Sequence, residues 1–138
     1  SIVLIHDGVR PLIDADLVSR NIASAREFGS AVTCTKMTET VVVEEGEGIK
    51  EVIPRDPLWT AQAPQTFPLK DVLAGYDRAV AEGENDSIDT CTLMNGFGYE
   101  VHRVEGPRTN IKITTASDYY VCRTFLTLIE DREAFGGE

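Results

Sequence analysis

Four side chains stand, by type and setting, as candidates to grip phosphate or the metal that travels with it: Asp7, Arg10, Arg55 and Lys112. Asp7 and Arg10 belong to the run Leu4-Ile5-His6-Asp7-Gly8-Val9-Arg10-Pro11, where an apolar stretch, Ile2-Val3-Leu4-Ile5, runs straight into a polar elbow. In open α/β sheets ligands sit just past the carboxyl ends of strands. A carboxylate there can bind or orient a divalent cation. Gly8 lets a ligand approach the backbone closely. A guanidinium can hold phosphate through two parallel hydrogen bonds. His6 falls on the strand face opposite Asp7 by simple alternation, which predicts packing or hydrogen bonding rather than general-base work.

The other two cations come from different settings. Arg55 stands in a polar turn between Pro54 and Pro57, close to Trp59, Pro64, Gln65 and Phe67. Lys112 lies in Asn110-Ile111-Lys112-Ile113-Thr114, whose spacing predicts a short core strand with the isoleucines facing away from the lysine. A lysine on such a strand needs an anion partner or the mouth of a site. Asp89 is expected in the first turn of a helix, where the helix dipole favours a carboxylate whatever the function. Each residue also has a plainer reading: Asp7 capping a turn, Arg55 as a solvated surface arginine, Lys112 as a structural ion.

Other chemistries find no residues. There is no H-E-x-x-H, no zinc spacing, no G-x-S-x-G and no plausible Ser/His/Asp or Cys/His set. A nucleotide-sugar transferase would want an Asp-x-Asp metal pair, and Asp14-Ala15-Asp16 opens a helix and better suits capping.

The elements that must position these side chains alternate between strand and helix. A strand is expected at 2–6, then a helix capped by Asp14 and closed by Gly29, with Leu17, Val18, Ile22 and Ala25 as its apolar stripe. Ala31 to Thr35 read as a strand, and the acidic, valine-rich segment around Gly46 and Gly48 as a hairpin at about residues 38–54. A two-stranded ribbon is marginal alone, so a partner subunit is the expected support. Residues 54–67 read as irregular; Pro68 opens a helix ended by Gly83, and Asp86 or Ser87 caps another through Asn95. Tyr99 to Val104 and Asn110 to Thr114 read as strands. Ser117 caps a last helix with Tyr120, Phe125, Leu126 and Leu128 partly inward, and the tail from Phe135 frays. The pattern is that of an α/β domain.

Bulk properties agree with a soluble domain. The chain has 138 residues, 42% hydrophobic and 26% charged, enough for one domain with its own core. No apolar run approaches the roughly 20 residues of a membrane span, and the start has no signal-peptide pattern. A formal charge of −10 argues against nucleic acid as a partner, so any phosphate contacts must be local and few. Cys34, Cys91 and Cys122 are odd in number and lack a C-x-x-C pair, which predicts buried, reduced thiols in a cytoplasmic protein.

Four blocks together carry a family resemblance: His6 to Pro11, Arg55 to Phe67, Val104-Glu105-Gly106, and Asn110 to Thr114. In this order and spacing they resemble the 2-C-methyl-D-erythritol 4-phosphate cytidylyltransferases and their ribitol-5-phosphate relatives, over residue 1 to about Phe125. The resemblance implies a Rossmann-like three-layer nucleotidyltransferase fold, seen here as its C-terminal portion, with residues 38–54 as a protruding hairpin that dimerises the enzyme. It implies transfer of CMP from CTP to a polyol phosphate with Mg²⁺ as cofactor and pyrophosphate as leaving group. The expected acceptor is 2-C-methyl-D-erythritol 4-phosphate of isoprenoid precursor synthesis. The alternatives are ribitol 5-phosphate, and a non-catalytic dimerising module.

By the same resemblance Asp7 is the metal and substrate-phosphate carboxylate, and Gly8 lies against the nucleotide. Arg10, Thr40 and Asp89 contact substrate. Arg55 reaches the sugar phosphate from the neighbouring subunit, and Lys112 lies near the triphosphate. Ala63 and Ile88 stand where the erythritol enzymes carry threonines, and Asp89-Thr90-Cys91 leans toward the ribitol relatives, as do Asn21-Ile22 and Glu27-Phe28-Gly29. The family's glycine-rich CTP loop has no counterpart here, since G-x-G occurs only at Gly46-Glu47-Gly48 and Gly96-Phe97-Gly98. The expectation is a C-terminal piece of a longer enzyme, inactive by itself because it cannot complete the CTP site.

Overall fold

The computed structural model describes residues 1–83 and 89–134. The first strand, β1 (Ile2–Ile5), is an edge of a four-stranded mixed sheet. It is followed by α1 (Ala15–Phe28), whose start is fixed by Asp14: its carboxylate accepts the Leu17 N–H at 2.8 Å. Gly29 ends the helix at φ 86°, a left-handed conformation that glycine adopts without a Cβ penalty. The buried stripe of α1 is Leu17, Asn21 and Ala25, with Val18 and Ile22 only half-buried. Asn21 takes the centre of that stripe because its amide is fully partnered: Nδ2 donates to the Leu17 carbonyl and to Thr33 Oγ1, and Oδ1 accepts from Thr66 Oγ1.

Strand β2 (Ala31–Lys36) follows, then the hairpin strands β3 (Val41–Glu45) and β4 (Gly48–Ile53), which form a separate two-stranded sheet. The next segment corrects the sequence reading. In place of an irregular stretch, β5 (Trp59–Pro68) is a ten-residue strand at the centre of the main sheet. The sheet order is β1-β5-β2-β6, with β5 antiparallel to both neighbours and β6 (Arg103–Glu105) parallel to β2. Pro64 cannot donate to a ladder, and the β2–β5 register shifts between Val32 and Cys34, which lets the strand carry it.

Side chains alternate to the two faces. Thr33 and Thr66 turn toward α1, while Val32 and Phe67 meet Val72 of α2 (Leu69–Ala81) and Met94 of α3 (Thr90–Gly96). Helices therefore cover both faces, the three layers expected. Burying Leu17 and Phe67 at 0% and 1% exposure contributes about 1.5–3 kcal/mol each.

Four further expectations change. Residues 99–104 yield only the three-residue β6, and Asn110 to Thr114 form no strand. That segment runs as extended loop, pinned by the Ile113 N–H donating to the Val9 carbonyl at 2.8 Å. The last helix, α4 (Ala116–Ala134), is capped by Thr115 rather than Ser117. Asp118 N donates to Thr115 Oγ1 at 3.2 Å, and Thr115 N donates back to Asp118 Oδ2 at 3.1 Å. Cys122 is its buried residue, whereas Tyr120, Leu126 and Leu128 are exposed. The caps assigned to Asp86 and Ser87, the threonine site at Ile88 and the tail from Phe135 lie outside the described residues. No helix among the described residues is long and apolar enough to cross a membrane.

Candidate functional site

The carboxyl end of β1 opens into a cleft of ≈ 250 Å³. Its floor is Ile5 and the early part of β5, Ala61 to Ala63 with Gln65. One rim is made by two loops, carrying Asp7, Arg10 and Lys112; the other is helical, carrying Tyr76 from α2 and Asp89 and Thr90 at the start of α3. Four residues chosen from sequence, Asp7, Arg10, Asp89 and Lys112, thus meet in one place.

The loop rim is tied together by Arg10, which is buried. Its Nε donates to Asp7 Oδ2 at 3.2 Å and its Nη1 donates to the Asn110 carbonyl at 2.8 Å. Asn110, 0% exposed, anchors the second loop to the floor by donating from Nδ2 to the Ala63 carbonyl at 2.7 Å. His6 supports the elbow from behind, its Nε2 bonded to the Arg10 carbonyl at 2.8 Å. Since a carbonyl only accepts, His6 carries its proton on Nε2; a bonding role for His6 agrees with its expected face. Lys112 is exposed at the mouth of the cleft rather than on a core strand.

On the helical rim Asp89 is the N-cap of α3, accepting the Thr92 N–H at 2.8 Å. Beside it, Gln65 reaches across from β5 to accept the Cys91 N–H at 2.8 Å, so the sheet itself helps to cap α3. Tyr76 Oη and Thr90 Oγ1 are bonded at 3.1 Å. Burial pushes the Cys34 thiol up to about 11, with nearby Cys91 adding to the rise and Arg103 opposing it. The Cys91 thiol is raised by burial and by Asp89. All three cysteines are free; Cys122 is buried and the other two half-buried.

The remaining sequence choices lie elsewhere. Gly8 is exposed at the elbow, with open space where a Cβ would sit, and does not line the cleft. Thr40 and Arg55 are exposed outside it, at the base of the hairpin, where Arg55 Nη1 donates to the Thr38 carbonyl at 2.8 Å. Sequence reasoning gave no place in the cleft to Gln62, Gln65, Tyr76 or Thr90, which all line it. Tyr76 sits at helical spacing within an apolar stripe, which concealed its hydroxyl.

The molecule is an α/β domain whose mixed sheet is covered by helices on both faces, with carboxylates and cations gathered where a strand ends and a helix begins. The chain belongs to the IspD family, the 2-C-methyl-D-erythritol 4-phosphate cytidylyltransferases, whose model matches residues 1–128. It is 44% identical over 137 residues to a ribitol-5-phosphate cytidylyltransferase of Streptococcus agalactiae, covering 99% of this chain and 57% of that protein. It is 37% identical over 119 residues to the 2-C-methyl-D-erythritol 4-phosphate cytidylyltransferase of Thermosipho melanesiensis, covering 86% and 52%. The crystal structure of the corresponding Thermus thermophilus enzyme superimposes with a TM-score of 0.82 at 31% identity, over 91% of this chain and 62% of that one. The chain therefore spans little more than half the length of the curated relatives it matches.

Proposed function

We propose that this chain supplies the acceptor side of a cytidylyltransferase site, in which CMP passes from CTP to a polyol phosphate. The carrying observation is the convergence of Asp7, Arg10, Asp89 and Lys112 on one cleft at the end of β1. A phosphate oxygen of the acceptor forms the new bond to the α-phosphorus of CTP, the bond to the β-phosphate breaks, and pyrophosphate leaves. Such chemistry asks for positioning and charge neutralisation rather than an enzyme nucleophile. Lys112 meets phosphate at the mouth. Arg10 holds Asp7 and the 110–114 loop in place, and Asp89 faces the polyol.

The donor chemistry fits magnesium. Mg²⁺ binds through one or two carboxylates plus substrate phosphates rather than an all-protein cage. Among the described residues no group of three or more His, Cys, Asp or Glu could hold a metal, whereas Asp7 offers a half-buried carboxylate in the cleft. Asp7 would hold the ion, which when bound would neutralise phosphate charge.

Ribitol 5-phosphate is the favoured acceptor, supported by the 44% identity to an enzyme named for it and by Ala63, which brings no hydroxyl to the floor. 2-C-methyl-D-erythritol 4-phosphate is the second reading, favoured by the matching family model. We read the hairpin as a dimer arm that presents Arg55 to a second subunit's cleft; its exposed Val42, Ile49 and Val52 support an apolar partner surface. Three free thiols accord with a cytoplasmic enzyme.

The test supplies the complete gene product with CTP, Mg²⁺ and each polyol phosphate and follows pyrophosphate release. Faster turnover of ribitol 5-phosphate is expected. No release with either acceptor contradicts the proposal.

A further inference from the structure

The helical rim of the cleft differs in chemistry from the loop rim. Arg10 and Lys112 give the loop rim its cations, whereas Tyr76 and Thr90 bring two neutral hydroxyls to the helical rim, bonded to each other at 3.1 Å. Thr90 is 6% exposed and fixed at the first residue of α3; Tyr76 is 41% exposed. The buried hydroxyl is thus an anchor that orients the open one. Their mutual bond uses one O–H, so the pair keeps one donor and several lone pairs for the cleft. Phosphate calls for cations, but an alcohol both donates and accepts, and a hydroxyl pair with the same dual capacity complements it. Ala63 offers no hydroxyl on the floor, the Gln65 amide there is committed to the Cys91 N–H and the Gln62 carbonyl, and Gln62 Oε1 already accepts from Thr35. The helical rim, where Tyr76 stands beside Asp89, is therefore the best-equipped place to read the acceptor's alcohols.

We propose that Tyr76, oriented by Thr90, selects the acceptor by bonding the polyol hydroxyl farthest from the phosphate. This rests on the cytidylyltransferase reading. A site built to bond a hydroxyl strongly rejects an analogue that lacks it, because its polar groups are then left unpaired. Tyr76 is the specificity-determining residue and Thr90 the positioning residue. Neither contributes to phosphate binding.

The test measures kcat/KM for ribitol 5-phosphate and for 1-deoxyribitol 5-phosphate, with CTP and Mg²⁺, in the complete gene product and its Tyr76→Phe, Thr90→Ser and Thr90→Val variants. The unaltered enzyme prefers ribitol 5-phosphate by roughly tenfold or more, the scale of one lost hydrogen bond. Tyr76→Phe erases that preference by lowering turnover of ribitol 5-phosphate alone, leaving the deoxy analogue and the KM for CTP unchanged. Thr90→Ser keeps the preference and Thr90→Val loses it. A preference that survives Tyr76→Phe, or an equal fall on both acceptors, overturns the inference. So does turnover of both acceptors by the unaltered enzyme without preference, which leaves the activity reading intact. No turnover of either acceptor overturns that reading and the inference together.

Discussion

Arg10 Nη1 donates to the backbone carbonyl of Asn110 at 2.8 Å, joining two loops that lie 100 residues apart in sequence. The same guanidinium holds Asp7 Oδ2 at 3.2 Å through Nε. One buried cation therefore sets both the carboxylate and the loop that carries Lys112. Arg10→Lys keeps the charge but cannot present both bonds in one plane. Losing a hydrogen bond from a charged group costs about 1.5–3 kcal/mol, so kcat/KM should fall roughly ten- to a hundredfold. Steady-state kinetics beside a circular-dichroism melt check this; an unchanged rate would show that the loops hold their places without Arg10.

Gly106 lies against β2, its N–H donating to the Cys34 carbonyl at 2.9 Å. A Cβ there would come within 2.5 Å of Thr33 Cγ2. Thr33 is 0% exposed and its hydroxyl is committed to the Pro64 carbonyl at 2.6 Å, so it has nowhere to move. Gly106→Ala should cost about 1–3 kcal/mol by overpacking. Urea denaturation reads this as a lower midpoint at unchanged slope, and a wild-type midpoint would contradict it.

Arg55 is exposed and outside its own chain's cleft. If the hairpin carries it to a second subunit, Arg55→Ala and Asp7→Asn each damage a different half of a shared site. Each variant alone should be nearly inactive, and an equimolar mixture after subunit exchange should recover part of the wild-type rate. A mixture as inactive as its components would confine Arg55 to its own subunit or remove it from the site.

The Cys34 thiol, pushed up to about 11 by burial with Cys91 beside it, should alkylate slowly at neutral pH. Raised from the ordinary 9.0, it binds its proton more tightly folded than unfolded. Its contribution to stability is present below pH 9.0 and is lost as pH rises toward 11. Iodoacetamide labelling followed by peptide mass spectrometry, together with melting temperatures between pH 8 and 11, measures both. Rapid labelling of Cys34 in the folded protein at neutral pH would contradict the burial.

The sequence made Asp7, Arg10, Asp89 and Lys112 legible because charge at a strand end or a helix start is unusual enough to stand out. The caps Asp14 and Gly29 were legible for the same local reason, and both frame α1 as expected. Central strand β5 was hidden by its prolines: Pro64 reads as a breaker, yet the register shift opposite it lets the sheet absorb the missing N–H. Lys112 was misplaced because two flanking isoleucines imitate a strand, while the segment is held by one backbone bond to Val9 and by Asn110. The tyrosine on the helical rim was hidden by amphipathic spacing, which reports which face a ring packs on and nothing about where its hydroxyl goes.

We propose that the polyol phosphate meets the nucleotide in the cleft at the end of β1. Phosphorus NMR of the complete gene product with CTP, Mg²⁺ and ribitol 5-phosphate tests it most directly, run beside an Asp7→Asn variant shown by circular dichroism to be folded. The expected result is CDP-ribitol and inorganic pyrophosphate from the wild type, with the variant slowed at least a hundredfold, about 2.7 kcal/mol or more. Wild-type turnover by Asp7→Asn would contradict it.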